Sequence, residues 1–89
     1  MKITPSNLIY HELIGLKVRV YNSPNKYLLG LIGKVAYETK NMLLLEKDGK
    51  IKKIPKFPNI FEFYLDDNTK VYVNGRDLLS RPEDRLKRL

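Results

Sequence analysis

The chain contains no cysteine and no tryptophan, and it has a single histidine. Without cysteine there is no disulfide and no thiolate metal site, so packing and hydrogen bonding must hold the fold together, as suits a reducing cytoplasm. No apolar run approaches the ~20 residues of a membrane-spanning helix. The N-terminus lacks the continuous apolar segment and small-residue cleavage site of a secretory signal. Acidic residues are also scarce: 10 Asp and Glu stand against 17 Lys and Arg, a formal charge of +7. Metal binding and general acid–base chemistry need groups converging from several elements. His11 beside Glu12 has no second histidine or cysteine to meet, and Asp66-Asp67 reads as turn chemistry. No catalytic residue and no metal ligand is assigned, and His11 is read as structural or interfacial.

What is present suits one folded domain: 89 residues, 43% hydrophobic and 30% charged, without a polar tract, repeat or linker. The cationic surplus points to a polyanionic partner, nucleic acid foremost, through release of condensed counterions. Solubility alone is the plainer alternative. A membrane-surface role would need a basic amphipathic helix with bulky apolar anchors, which the short C-terminal segment does not offer.

The stretch 29–56 organises the chain. Its apolar runs are separated by turns at Lys40-Asn41 and Asp48-Gly49 and followed by a lysine-dense segment, the pattern of a β-meander. Before it, Thr4 as cap and Pro5 at the first position predict a helix from about Pro5 to Ile14, stopped by Gly15. Leu16, Val18 and Val20 then alternate with Lys17, Arg19 and Tyr21, a half-buried strand with a basic, aromatic outer side. A long second strand is predicted from Tyr27 to Thr39, with a bulge or sharp bend at Gly30 and Gly33. Met42 to Leu45 are all apolar, which predicts a strand covered on both faces. After the turn at Lys47-Asp48-Gly49-Lys50, a fourth strand runs from Ile51 to Lys56. The three-residue spacing of Ile51 and Ile54 suggests a bulge there. Ile60 to Leu65 and Thr69 to Val73 complete six strands. Ser80-Arg81-Pro82-Glu83 matches a capping box that opens a last helix. The expected fold is mostly β: a small six-stranded antiparallel barrel with a short helix at each end.

Lys17, Arg19, Lys34, Lys40, Lys52, Lys53, Lys56 and Arg76, with Arg81 and Arg85 from the last helix, are placed on one outer face or its loops as contacts to nucleic-acid phosphates. Tyr21, pointing outward beside Lys17 and Arg19, is the best placed of Tyr21, Tyr37, Phe57 and Tyr64 to stack on an unpaired base. Leu8, Ile9 and Leu13 of the first helix, Leu29 and Leu31 of the glycine-bent strand, and Leu86 and Leu89 at the end are candidates for a protein interface. The alternative is that they close the chain's own core.

The segments His11-Glu12-Leu13-Ile14-Gly15-Leu16, Gly30-Leu31-Ile32-Gly33-Lys34-Val35 and Glu38-Thr39-Lys40-Asn41-Met42-Leu43 carry a resemblance. So do Ile54-Pro55-Lys56, Gly75-Arg76 and the tail from Arg81 to Lys87. Their order and spacing resemble the archaeal ribonuclease P protein component 1 family, related to a eukaryotic subunit shared by ribonuclease P and its mitochondrial-RNA-processing cousin. The resemblance implies an Sm-like (SH3-like) barrel and a non-catalytic subunit of a ribonucleoprotein. In that particle the ribonuclease P RNA, with bound magnesium, removes the 5′ leader from precursor tRNA. It also implies pairing with a small zinc-ribbon subunit that carries the zinc. Two further readings compete: a free-standing basic barrel that binds DNA or RNA as an architectural protein, and an Sm-type homo-oligomeric ring.

Overall fold

The computed structural model describes residues 3–80 together with Asp84. Six strands form one antiparallel sheet: β1 (Lys17–Asn22), β2 (Ile32–Glu38), β3 (Met42–Lys47), β4 (Lys50–Pro55), β5 (Ile60–Tyr64) and β6 (Lys70–Asn74). Their order across the sheet is β4-β3-β2-β1-β5-β6. The sheet curls around a core supplied by alternate residues, among them Val18, Val20, Val35, Leu43, Leu45, Ile54, Phe61 and Phe63, all buried. Two short 3-10 helices, η1 (Leu8–Tyr10) and η2 (Gly75–Leu78), add Leu8 and Leu78 to it.

Two bulges bend the sheet. One lies between Val20 and Asn22 where β1 meets β5. The other lies between Val35 and Tyr37 where β2 meets β3. Each inserts a residue on one strand only, which increases local twist and lets a short sheet wrap. The β3–β4 hairpin turns on Asp48 (φ 54°) and Gly49 (φ 78°), the left-handed pair that matches the twist of the strands it joins.

β4 and β6 share no ladder. Between them lies the segment that follows β4, in which the Phe57–Pro58 peptide is cis. Gly75 N donates to Asn59 O at 2.8 Å and Asn59 Nδ2 to Pro55 O at 2.8 Å. A Cβ on Gly75 would fall 1.6 Å from Lys56 O, so only glycine allows the backbones to meet here. Lys56 completes the closure. It is fully buried, and its Nζ donates to Glu38 Oε2 (2.8 Å), Lys40 O (3.2 Å), Leu78 O (2.8 Å) and Ser80 O (3.1 Å). One ammonium therefore joins the end of β2, the β2–β3 turn and the carbonyls that end η2.

The six-stranded antiparallel architecture is the one expected, with four local differences. First, the segment before β1 is not a helix beyond η1. Leu8 and Leu13 are both fully buried. At 3.6 residues per turn, positions five apart lie about 140° apart on a helix, so an extended path from His11 (φ −108°, ψ 160°) is what sends both inward. Second, β2 begins at Ile32, and residues 26–30 are turn. Gly30 (φ +82°) serves that turn, while a Cβ on Gly33 would sit 2.8 Å from Glu46 O across the β2–β3 pair; the bulge itself lies beyond both. Third, β4 pairs with β3 without interruption from Lys47↔Lys50 to Met42↔Pro55. Ile51 simply faces outward, 51% exposed, as strand alternation requires. Fourth, outward-facing Met42 and Leu44 are half-buried rather than covered. Of the predicted last helix only Asp84, which is helical, is described; Arg81, Arg85, Leu86 and Leu89 lie outside the described residues.

Candidate nucleic-acid interface

The register fixes what the convex face presents. Lys70 pairs with Tyr64, Tyr64 with Lys17, and Lys17 with Lys34, so these four side chains form one row across β6, β5, β1 and β2. Neighbouring strands lie about 4.8 Å apart, so the row spans about 15 Å. Within it, Lys17 Nζ lies 5.1 Å and Lys70 Nζ 5.9 Å from the Tyr64 ring centroid. Cations over an aromatic face are attracted by its quadrupole, and these two keep their charge close to the surface.

The adjacent row is Tyr72, Glu62 and Arg19. Glu62 is only 1% exposed, although its place in the alternation is outward. The aromatic side chains cover it and their hydroxyls satisfy it. Arg19 Nε donates to its Oε1 at 2.9 Å, and the Tyr64 hydroxyl donates to the same oxygen. The Tyr64 hydroxyl, chiefly, and that of Tyr72 hold the Glu62 carboxyl down at about 2 against the opposing effect of burial, with Arg19 assisting. The same bonds raise both tyrosines above their usual value, and the bond to Glu62 raises Arg19. This anionic hub fixes the rotamers of three surface side chains, which a loose set of surface residues would lack.

Tyr21 is the extra residue of the β1 bulge. Its ring, 48% exposed, meets Tyr72 edge-on at 4.8 Å between centroids, and the Arg19 guanidinium lies 5.6 Å from it. Tyr21, Tyr72 and Arg19 thus offer π surfaces beside the lysine row, the combination on which unpaired bases stack.

The expected cationic set does not share one face. Lys17, Arg19 and Lys34 lie together on the convex side, and Lys53 shares their outward parity through the Leu44 pairing. Lys52 pairs with buried Leu45 and therefore points to the opposite side, exposed only because β4 is an edge. Lys40 and Arg76 are exposed near the end of the barrel that Lys56 closes. Lys56 is withdrawn from the set: a fully buried ammonium bonded to Glu38 and three carbonyls cannot reach a phosphate. Leu8 and Leu13 are withdrawn from the protein interface because both are core. Ile9 and Leu31 pack partly against that core, and Leu29 remains 52% exposed.

Sequence reasoning missed Lys70, Tyr72 and Glu62. The alternation of Val71 and Val73 already puts Lys70 and Tyr72 outward; no local signal marks Glu62 as buried, because its cover comes from three other strand positions. Among the described residues, no three histidine, cysteine or carboxylate side chains converge to hold a metal ion.

Residues 6–88 match the family model for ribonuclease P/MRP, subunit p29. The chain is 51% identical over 87 residues to ribonuclease P protein component 1 of Methanocaldococcus jannaschii, covering 97% of this chain and 90% of that one. It is 46% identical to the protein of that name from Pyrococcus furiosus, covering 98% and 68%. A solved structure, that of Mth11, a homologue of human RNase P protein Rpp29, superposes with a TM-score of 0.63 at 41% identity. That match covers 84% of this chain and 97% of the other. The chain belongs to the ribonuclease P/MRP p29 family.

Proposed function

We propose that this subunit binds the ribonuclease P RNA through the convex face of β6, β5, β1 and β2, and that the RNA performs the cleavage of precursor tRNA. The observation that carries this reading is the row Lys70, Tyr64, Lys17 and Lys34, flanked by Arg19, Tyr21 and Tyr72. Backbone phosphates are met by lysines held on strands, and exposed rings accept unpaired bases, which is how structured RNA is recognised outside its helices. Magnesium belongs with the RNA in this scheme, and the assembly works in the cytoplasm. Filter binding of the purified subunit to ribonuclease P RNA tests it. If about six phosphates are neutralised, affinity falls by ~10³ between 50 and 200 mM salt. The triple variant K17E/K34E/K70E binds far more weakly with a shallower salt slope. A flat salt response, or wild-type binding by that variant, overturns the reading.

The family also supports pairing with a zinc-ribbon subunit, which would bring the only zinc. Tyr27 (83% exposed) and Leu29 offer apolar surface on the loop before β2. Such exposed apolar groups mark where a partner would seat.

A further inference from the structure

On the side opposite the convex face, at the mouth of the β3–β4 hairpin, a cleft of about 220 Å³ is lined by Leu31, Leu45, Lys47, Asp48, Lys50 and Lys52. Its floor is apolar, and its rim carries three lysines and the carboxylate of Asp48. Lys47 and Lys50 face each other directly across the ladder, and Lys52 lies two residues further along the same edge. Like charges opposite one another in a sheet repel. Among the described residues, none of the three lysines has an acidic side chain within ion-pairing distance; the ion pairs there are Arg19 with Glu62 and Lys56 with Glu38. Three lysines against the single carboxylate of Asp48, with which none of them is paired, leave the cleft with a surplus of positive charge, held on a tight left-handed turn and suited to an anion.

We propose that this cleft holds one unpaired ribonucleotide, its base against Leu31 and Leu45 and its phosphate among Lys47, Lys50 and Lys52. The proposal rests on the RNA-binding reading for its ligand, but the site is a second one on another face. A nucleotide combines a flat apolar surface with an adjacent anion, matching a leucine floor beneath a lysine rim; a bare phosphate has no use for the floor. Splayed nucleotides of this kind occur in the single-stranded loops and bulges of folded RNA.

The test is a methyl NMR titration of the full chain with labelled leucines, using a short oligouridylate, inorganic phosphate and polyglutamate in turn. The Leu31 and Leu45 methyls shift with the oligouridylate and not with phosphate. The variant K50E/K52E, altered only at exposed positions, loses those shifts and weakens oligouridylate binding about ten-fold, whereas K17E/K70E on the convex face retains them. Methyls that stay still with the oligouridylate overturn the proposal. So does an equal response to polyglutamate, which would make the cleft a peptide site, or shifts unchanged in K50E/K52E. If K50E/K52E behaves as wild type while K17E/K34E/K70E loses ribonuclease P RNA, the cleft falls and the convex-face reading stands. If neither variant loses the RNA, both fall.

Discussion

Replacing Lys56 by methionine removes the only charge on its side chain while keeping most of its length. The consequence follows from what the ammonium touches. Glu38 Oε2 and the carbonyls of Lys40, Leu78 and Ser80 all lie within 3.2 Å of Nζ. Both side chains of the Lys56–Glu38 pair are 0% exposed. Breaking a buried ion pair from one side strands a carboxylate away from water and costs about 3–5 kcal/mol. Carbonyls that lose their donor add about 1 kcal/mol or more each unless water reaches them. A domain of this size has only about 4–13 kcal/mol in total. At about 4–8 °C per kcal/mol, the loss of the ion pair alone therefore lowers the melting temperature of K56M by roughly 12–40 °C. Thermal and urea unfolding of K56M, E38Q and K56M/E38Q form a double-mutant cycle. The double variant is expected to be more stable than the sum of the singles by about 2 kcal/mol, because it leaves no stranded charge. Salt should barely alter the difference, since the pair is out of reach of screening ions. Additive single effects, or K56M within about 1 kcal/mol of the wild type, would refute the closure role assigned to Lys56.

Four further outcomes can be checked. The Glu62 carboxyl at about 2 lies below its unfolded value near 4.5, so its stabilisation is complete above pH 4.5 and is lost as the pH falls toward 2. Acid titration monitored by circular dichroism should show that loss in the wild type and a flatter profile in E62Q. G75A should fail to fold or lose several kcal/mol, about the cost of forcing backbone apart, in urea unfolding; G15A, where a Cβ meets nothing and only the left-handed backbone (φ +93°) opposes a side chain, is the comparison and should cost about 1 kcal/mol. Y21A and Y72A should each weaken binding to single-stranded RNA by about 1–3 kcal/mol in filter binding, with the salt slope unchanged because no phosphate contact is removed. L29D should lose capture of a zinc-ribbon subunit in a pull-down while keeping its thermal stability, since Leu29 is exposed. L8D cannot serve, because Leu8 is core.

Much of the sheet was legible because period-two alternation is a local property. Leu16 to Tyr21 and Ile60 to Leu65 placed their inward and outward residues correctly, and Asp48-Gly49 announced its turn by composition. Position-specific glycine signals were harder to place. Gly33 is explained by the backbone of Glu46, a residue on another strand, and Gly75 by the carbonyl of Lys56. Lys56 itself looks like any other member of a lysine run; only the fold reveals that a carboxylate and three carbonyls surround it. The same holds for Glu62 in reverse, an outward carboxylate roofed by its neighbours. The apolar residues before β1 had helical spacing, yet the need to bury both Leu8 and Leu13 decided the path. Tertiary demand overrode a local pattern there.

β4 ends the sheet, and among the described residues no strand pairs with its outer row of backbone donors and acceptors. Such a border invites a second copy to add itself and continue the sheet. Here the border carries Lys50, Lys52 and Lys53, whose mutual repulsion disfavours that addition. An RNA that neutralised those lysines would lift the same repulsion, so pairing between copies would then compete with RNA binding at this border.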